Sequence, residues 1–133
     1  MFLLDTNVVS EIRKPRPHGA VIAWLKSLPV GSVYISVATF GELQAGAEKT
    51  RRNDPTKATE IERWIDTLSA FHIVLPIDVA ISRERARLMV DRSTHLREDA
   101  MIAATARVHN LTVATRNVKD FEIFSVPILN PFE

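Results

Sequence analysis

Short apolar runs alternate along the chain with longer stretches whose apolar residues recur every three to four positions. Phe2-Leu3-Leu4, ended by Asp5, predicts a buried strand. Thr6 to Arg13 predicts a short helix, stopped by Pro15 and Pro17. Val21, Trp24, Leu25 and Leu28 lie at i, i+3, i+4 and i+7, which predicts a helix from about His18 to Leu28. Val33-Tyr34-Ile35 reads as a second strand, after which Ser36 caps a helix running through Glu42 to about Lys49. The polar TRRNDP segment is a turn. Asp54-Pro55 opens a helix carrying Ile61, Trp64, Ile65 and Leu68 on one face. Both tryptophans are therefore expected in the core. Ile73-Val74-Leu75 is a third strand, and Asp78 starts a helix reaching Val90. Residues 91–98 form a polar link, followed by an alanine-rich helix from Asp99 to His109. Leu111–Ala114 and Val126–Leu129 are the last strands.

This alternation from end to end predicts an α/β fold with a mostly parallel sheet covered on both faces. No repeat or long linker divides the chain, so residues 1–133 are expected to form one domain.

Charge and composition narrow the function. With 17 Lys and Arg against 16 Asp and Glu, the net charge is +1, which excludes binding nucleic acid by bulk charge alone. There is no cysteine, hence no thiolate nucleophile and no cysteine-based metal site. The four histidines show no ligand spacing. No apolar run approaches the ~20 residues of a membrane span, and the N-terminus lacks the basic start of a signal peptide. A cytoplasmic location is the expectation.

The chemistry gathers at four places, each with a plainer structural reading. Asp5 ends the first strand, where ligands sit in open α/β sheets, and is followed by Thr6 and Asn7; it also reads as a helix cap. Glu42 shares a helix face with Ala38, Ala45 and Gly46, which leaves space around its carboxylate; the alternative is a solvated helix face. Asp99 points along the apolar stripe of Ile102, Ala103 and Ala106, and it also suits a helix N-terminus. Thr115-Arg116-Asn117, with Asp120, follows the fourth strand, where a turn is the alternative. Acids that converge need cations, and hard Mg²⁺ or Mn²⁺ with oxygen ligands suits hydrolysis of a phosphodiester. Arg51, Arg52, Arg83, Arg85, Arg87 and Arg92 are candidates for holding a polyanion, with solvated faces and ion pairs as their alternative.

MFLLDTNVVSE, SVATFGELQAG and DAMIAATARVHNLTVATRNVKDF together resemble the PIN-domain ribonucleases. More narrowly they resemble the VapC toxins of bacterial VapBC toxin–antitoxin pairs, in the branch that includes the FitB proteins. The resemblance covers nearly the whole chain and includes Asn130-Pro131. It implies a three-layer α/β/α domain with a parallel sheet of four or five strands. It also implies a Mg²⁺- or Mn²⁺-dependent endoribonuclease leaving 5′-phosphate and 3′-hydroxyl ends. Carried over, the acids are Asp5, Glu42 and Asp99. Thr6, Asn7 and Thr115 stand beside them as supporting polar groups. Asp5 and Asp99 would ligate the metal, and Glu42 would bind it through water or act as a base. At the fourth position some members have an acid where this chain has Asn117, and Asp120 lies three residues on. The segment before Asp99 is shorter and more charged than in many members. The resemblance further implies a homodimer and a small VapB-type antitoxin that inserts a basic side chain among the acids and binds operator DNA.

Two rivals remain. A phosphotransferase of the haloacid-dehalogenase kind wants a second Asp two residues after the first, where this chain has Asn7. A catalytically weak PIN-like RNA-binding module is the other, favoured by Asn117 and opposed by the three acids.

Overall fold

In the computed structural model, which describes residues 1–133, five strands form one fully parallel sheet. The strands are β1 (Phe2–Leu4), β2 (Val33–Ser36), β3 (Ile73–Leu75), β4 (Thr112–Ala114) and β5 (Ile128–Leu129). Seven helices connect them: α1 (Thr6–Arg13), α2 (Gly19–Ser27), α3 (Val37–Arg51), α4 (Pro55–Phe71), α5 (Val79–Leu88), α6 (Arg97–His109) and α7 (Val118–Glu122). The spatial order of the strands is β3-β2-β1-β4-β5. The chain thus lays down strands to one side of β1 and then returns to fill the other. The reversal falls between β1 and β4. In open parallel sheets such a switch point leaves a crevice at the C-terminal strand ends, where ligands bind.

Alternation along β1 divides the core into two layers. Leu3 packs with Ala103, Val113, Phe121 and Phe124 on the α6–α7 side. Leu4 packs with Val8, Val21, Ile35, Leu43, Ile61 and Ile65 on the α1–α4 side. Adjacent residues of a strand face opposite sides, so a three-residue strand buried on both faces is apolar throughout. The expected α/β/α layering is what forms, with five strands.

Most helix starts follow the sequence. The side chains of Ser36, Asp54 and Asp78 accept from the backbone N–H groups of Ala38, Lys57 and Ile81, and Pro55 is the first residue of α4. Four expectations are corrected. The link 91–98 holds a 3-10 turn at Thr94–Leu96, and α6 begins at Arg97, two residues early. The Asn117–Asp120 segment is not just a turn, because it leads into α7, anchored by fully buried Phe121. The fifth strand keeps only Ile128 and Leu129 of the expected run, since the chain first turns through Ser125 at φ 53°. Trp24 and Trp64 sit at the margin of the core rather than inside it. Trp24 meets Phe2 edge-on at 5.0 Å, and Arg13 lies over Trp64 at 5.9 Å. At the C-terminus, Phe132 packs on the α1–α4 layer beneath Arg116, whose guanidinium stands 3.8 Å from the ring centroid.

Candidate active site

The crevice at the β1/β4 switch point is built around Asp5. Its backbone N–H donates to the Ala114 carbonyl at 2.9 Å, continuing the β1–β4 ladder, and its side chain lies just beyond. The carboxylate is 5% exposed and accepts three hydrogen bonds. The Thr6 N–H donates to Oδ1 at 2.8 Å, the Thr115 hydroxyl to Oδ2 at 2.8 Å, and Asn7 Nδ2 to Oδ2 at 3.0 Å. Asp5 is therefore both the cap of α1 and the floor of the site. Thr115 is fully buried at the end of β4; its hydroxyl also accepts from the Asn117 N–H (2.9 Å) and from Asn7 Nδ2 (3.3 Å). Asn7 Oδ1 in turn accepts from the Arg116 N–H, tying the loop after β4 to α1.

The second acid arrives from α3. The Thr6 hydroxyl lies 3.0 Å from Glu42 Oε1, to which it donates, and 3.2 Å from the hydroxyl of buried Thr39. Glu42 is half-buried, and burial pushes its pKa from 4.5 up to about 7. The Thr6 hydrogen bond opposes that rise, whereas the charges of Glu98, Asp5 and Asp99 add to it. Asp99, in the first turn of α6, is pushed up to about 6, chiefly by burial and then by Asp5, Asp120 and Glu98; His95 opposes. Burial also raises Asp5, against its three hydrogen bonds, and Asp120 adds to the rise.

The structure thus brings Asp5, Glu42 and Asp99 into one electrostatic neighbourhood, with Asp120 reaching it from α7. None of the four is ion-paired with Lys or Arg. Thr6, Asn7 and Thr115 all contact the acids directly, as expected. Asn117 offers its backbone N–H to Thr115, while its exposed side chain makes no cap for α7. Two contributors escaped the sequence reading. Thr39 lies one turn before Glu42 on α3, a spacing that was open to inspection. Glu98 precedes Asp99 and was assigned to the link.

The basic candidates divide. Arg51 is engaged by Glu48 and Glu62, and Arg87 is paired with Glu84, so neither is a free cation for a polyanion. Arg92 is spent on the Leu88 and Ile123 carbonyls. Arg52 and Arg83 are exposed and have no acidic partner. Arg85 of α5 lies beside Glu42, as does Arg97 of α6, which the sequence reading placed in the link.

The donor set fits a hard divalent cation. Its side-chain donor atoms are oxygens, and none of its carboxylates is ion-paired with Lys or Arg. No three of these acids stand close enough to form a ready-made cage.

Unpaired acids at the switch point of a parallel α/β/α sheet suit metal-assisted hydrolysis. The comparisons identify the family. The family model described as PIN domain matches residues 2–124. Toxin FitB of Neisseria gonorrhoeae is 38% identical over 138 residues, covering 99% of each chain. VapC ribonuclease Y4jK of Sinorhizobium fredii is 36% identical, covering 100% of this chain and 99% of its own. Among solved structures, FitAcB from Neisseria gonorrhoeae superposes with a TM-score of 0.85 at 37% identity, over 100% of this chain and 99% of that one. The structure of FitAB bound to the IR36 DNA fragment also superposes with a TM-score of 0.85, at 33% identity, over 100% and 96%. The chain belongs to the PIN domain family.

Proposed function

We propose that this chain, acting as one PIN unit over residues 1–133, is a Mg²⁺- or Mn²⁺-dependent endoribonuclease and the toxin of a type II toxin–antitoxin pair. The carrying observation is the unpaired acid cluster of Asp5, Glu42 and Asp99 at the β1/β4 switch point. The relatives named as a VapC ribonuclease and as a toxin support the activity and the role. Asp5 and Asp99 would hold the ion, with Glu42 assisting. A bound divalent ion would supply activation of the attacking water and neutralisation of the charge growing on the phosphate.

The rest of the chemistry belongs to the chain. Thr115, Asn7 and the Thr6 N–H hold Asp5 in one orientation, so no reorganisation is needed when charge develops. The Thr6 hydroxyl fixes Glu42, which takes the proton of the attacking water. A carboxylate that titrates near neutrality suits that role. With a divalent ion bound, Glu42 would be ionised at neutral pH and ready to accept. Asp120, whose charge bears on Asp5 and Asp99, is the candidate for the fourth acidic position, since Asn117 carries no charge.

The solved neighbours are toxin–antitoxin complexes, including FitAB on DNA. By extension this chain has a small antitoxin partner of the VapB type, which presents a basic side chain to the acids and binds operator DNA, and it forms a homodimer. Purified free of partner, the protein should cleave RNA with Mg²⁺ or Mn²⁺, and not with EDTA or as Asp5→Asn. Cleavage surviving both would overturn the proposal.

A further inference from the structure

Beside Glu42 lies an open hollow of about 290 Å³ between α3, α5 and α6. One wall is α3, where Ala38, Gly41 and Ala45 leave the helix surface bare. Residues three and four apart share a helix face, so these three line up as a shallow trough. A Cβ added at Gly41 would meet nothing within 4 Å. The opposite wall carries Arg85 of α5 and Arg97, Glu98 and Met101 of α6. Arg85 is half-buried and, unlike Arg51, Arg87 and Arg107, has no carboxylate within ion-pair distance, although Glu42 and Glu98 line the same hollow. Its planar fork is therefore unengaged, and it matches a phosphate.

We infer that this hollow is the subsite for one nucleotide next to the scissile phosphate, with Arg85 gripping that nucleotide's own phosphate and Arg97 at the rim. The inference rests on the ribonuclease reading and deepens it. The volume, just below that of enclosed ligand pockets, is matched to a single nucleotide. Continuity with Glu42 sets its place next to the cleaved bond. Arg85 makes a charge-assisted, two-pronged contact. Met101 and the small α3 residues supply an apolar bed for the base or sugar.

The test uses two variants that fail in different ways. Arg85→Ala removes the phosphate contact, and Gly41→Leu fills the trough. Leucine is a better helix former than glycine, so Gly41→Leu should fold at least as well. Binding of a labelled single-stranded RNA is measured across a salt titration with the Asp5→Asn protein, which should bind without cutting. Arg85→Ala should reduce the slope of log K against log salt by about 0.7, the value for one lost contact to a single strand. Arg85→Lys should keep the slope. Gly41→Leu should weaken binding and lower the slope by a similar amount, because excluding the nucleotide also takes its phosphate out of Arg85's reach. Arg63→Ala, exposed on α4 away from the hollow, is the control. In the cleaving protein, Arg85→Ala should raise KM by about tenfold with kcat little changed. An unchanged slope in Arg85→Ala, or full RNA affinity in Gly41→Leu, overturns the inference. So does loss of antitoxin binding alone, which would assign Arg85 to a peptide carboxylate. Failure of the unaltered protein to cut RNA is a separate result, and it strikes the ribonuclease reading itself.

Discussion

Thr115→Val probes whether Asp5 is held as a charged group. The two side chains have nearly the same shape, so packing at this fully buried position is kept and only the hydroxyl is lost. That hydroxyl donates to Asp5 Oδ2 at 2.8 Å, inside the protein, where water does not replace it. Its other contacts, from the Asn117 N–H and Asn7 Nδ2, involve groups nearer solvent. The Asp5 bond therefore dominates. A hydrogen bond to a charged group is worth about 1.5–3 kcal/mol. With an unfolding entropy of about 2.1 cal/mol/K per residue, a chain of 133 residues should lose about 5–11 °C in Tm. Thermal melts at pH 8 in EDTA read this with Asp5 ionised and no cation to mask the loss. In an Asp5→Ala background the same substitution should cost much less, giving a coupling of about 1 kcal/mol or more. A Tm change under about 1 °C in the native background, or equal losses in both backgrounds, would refute the claim that Thr115 holds the charge.

The acids make stability depend on pH in an unusual direction. Glu42 and Asp99 have folded pKa values of about 7 and about 6, above their ordinary 4.5 and 3.8, so their protonation favours the fold. That stability is lost as pH rises through 6 and 7. For Glu42 it amounts to about 1–2 kcal/mol once screening of a half-exposed group is counted. Metal-free protein should melt higher at pH 5 than at pH 8, Mg²⁺ should restore the loss at pH 8, and a flat profile would contradict the cluster. Asn7→Ala removes an orienting contact from Asp5 and should reduce metal-dependent cleavage about 10–100-fold in single-turnover assays, without abolishing the fold. Phe121→Ala empties a fully buried site under α7 and should cost about 3–5 kcal/mol by urea denaturation.

How far the sequence could be read depended on how local each signal was. Leu3 and Leu4 flank a single chain step, so a doubly buried strand was legible from three residues. Ser36, Asp54 and Asp78 bond N–H groups two or three positions on, and such caps announce themselves. Asp5 and Asp99 stood out because they sit at a strand end and a helix start, and Glu42 because small residues surround it inside α3. What stayed hidden depends on partners far away in the chain. Arg51 looked available until Glu62 of α4 met it, and Arg85 looked like one of several arginines on a charged helix. Thr115 was singled out as polar, but its bond to Asp5 spans 110 positions. Helix α7 was missed because its five residues are held by Phe121 in the core and not by any periodic stripe of their own.

The near-neutral total of +1 conceals a division of labour among the charges. On α3, α4, α5 and α6, acids neutralise bases in surface pairs: Glu48 and Glu62 with Arg51, and Glu84 with Arg87 and Arg107. These pulls lower the acids' pKa values and keep them ionised. At the switch point the arrangement is opposite. Burial and mutual repulsion dominate there, no Lys or Arg forms an ion pair with the acids, and their pKa values rise. A group of this kind makes the folded state hungry for positive charge, and whatever supplies that charge stabilises the fold by linkage. A divalent ion and a partner's basic side chain satisfy the same demand. On the proposed function, inhibition by a partner's basic side chain would need no conformational change in the chain, since the side chain would only have to occupy the electrostatic position proposed for the cation.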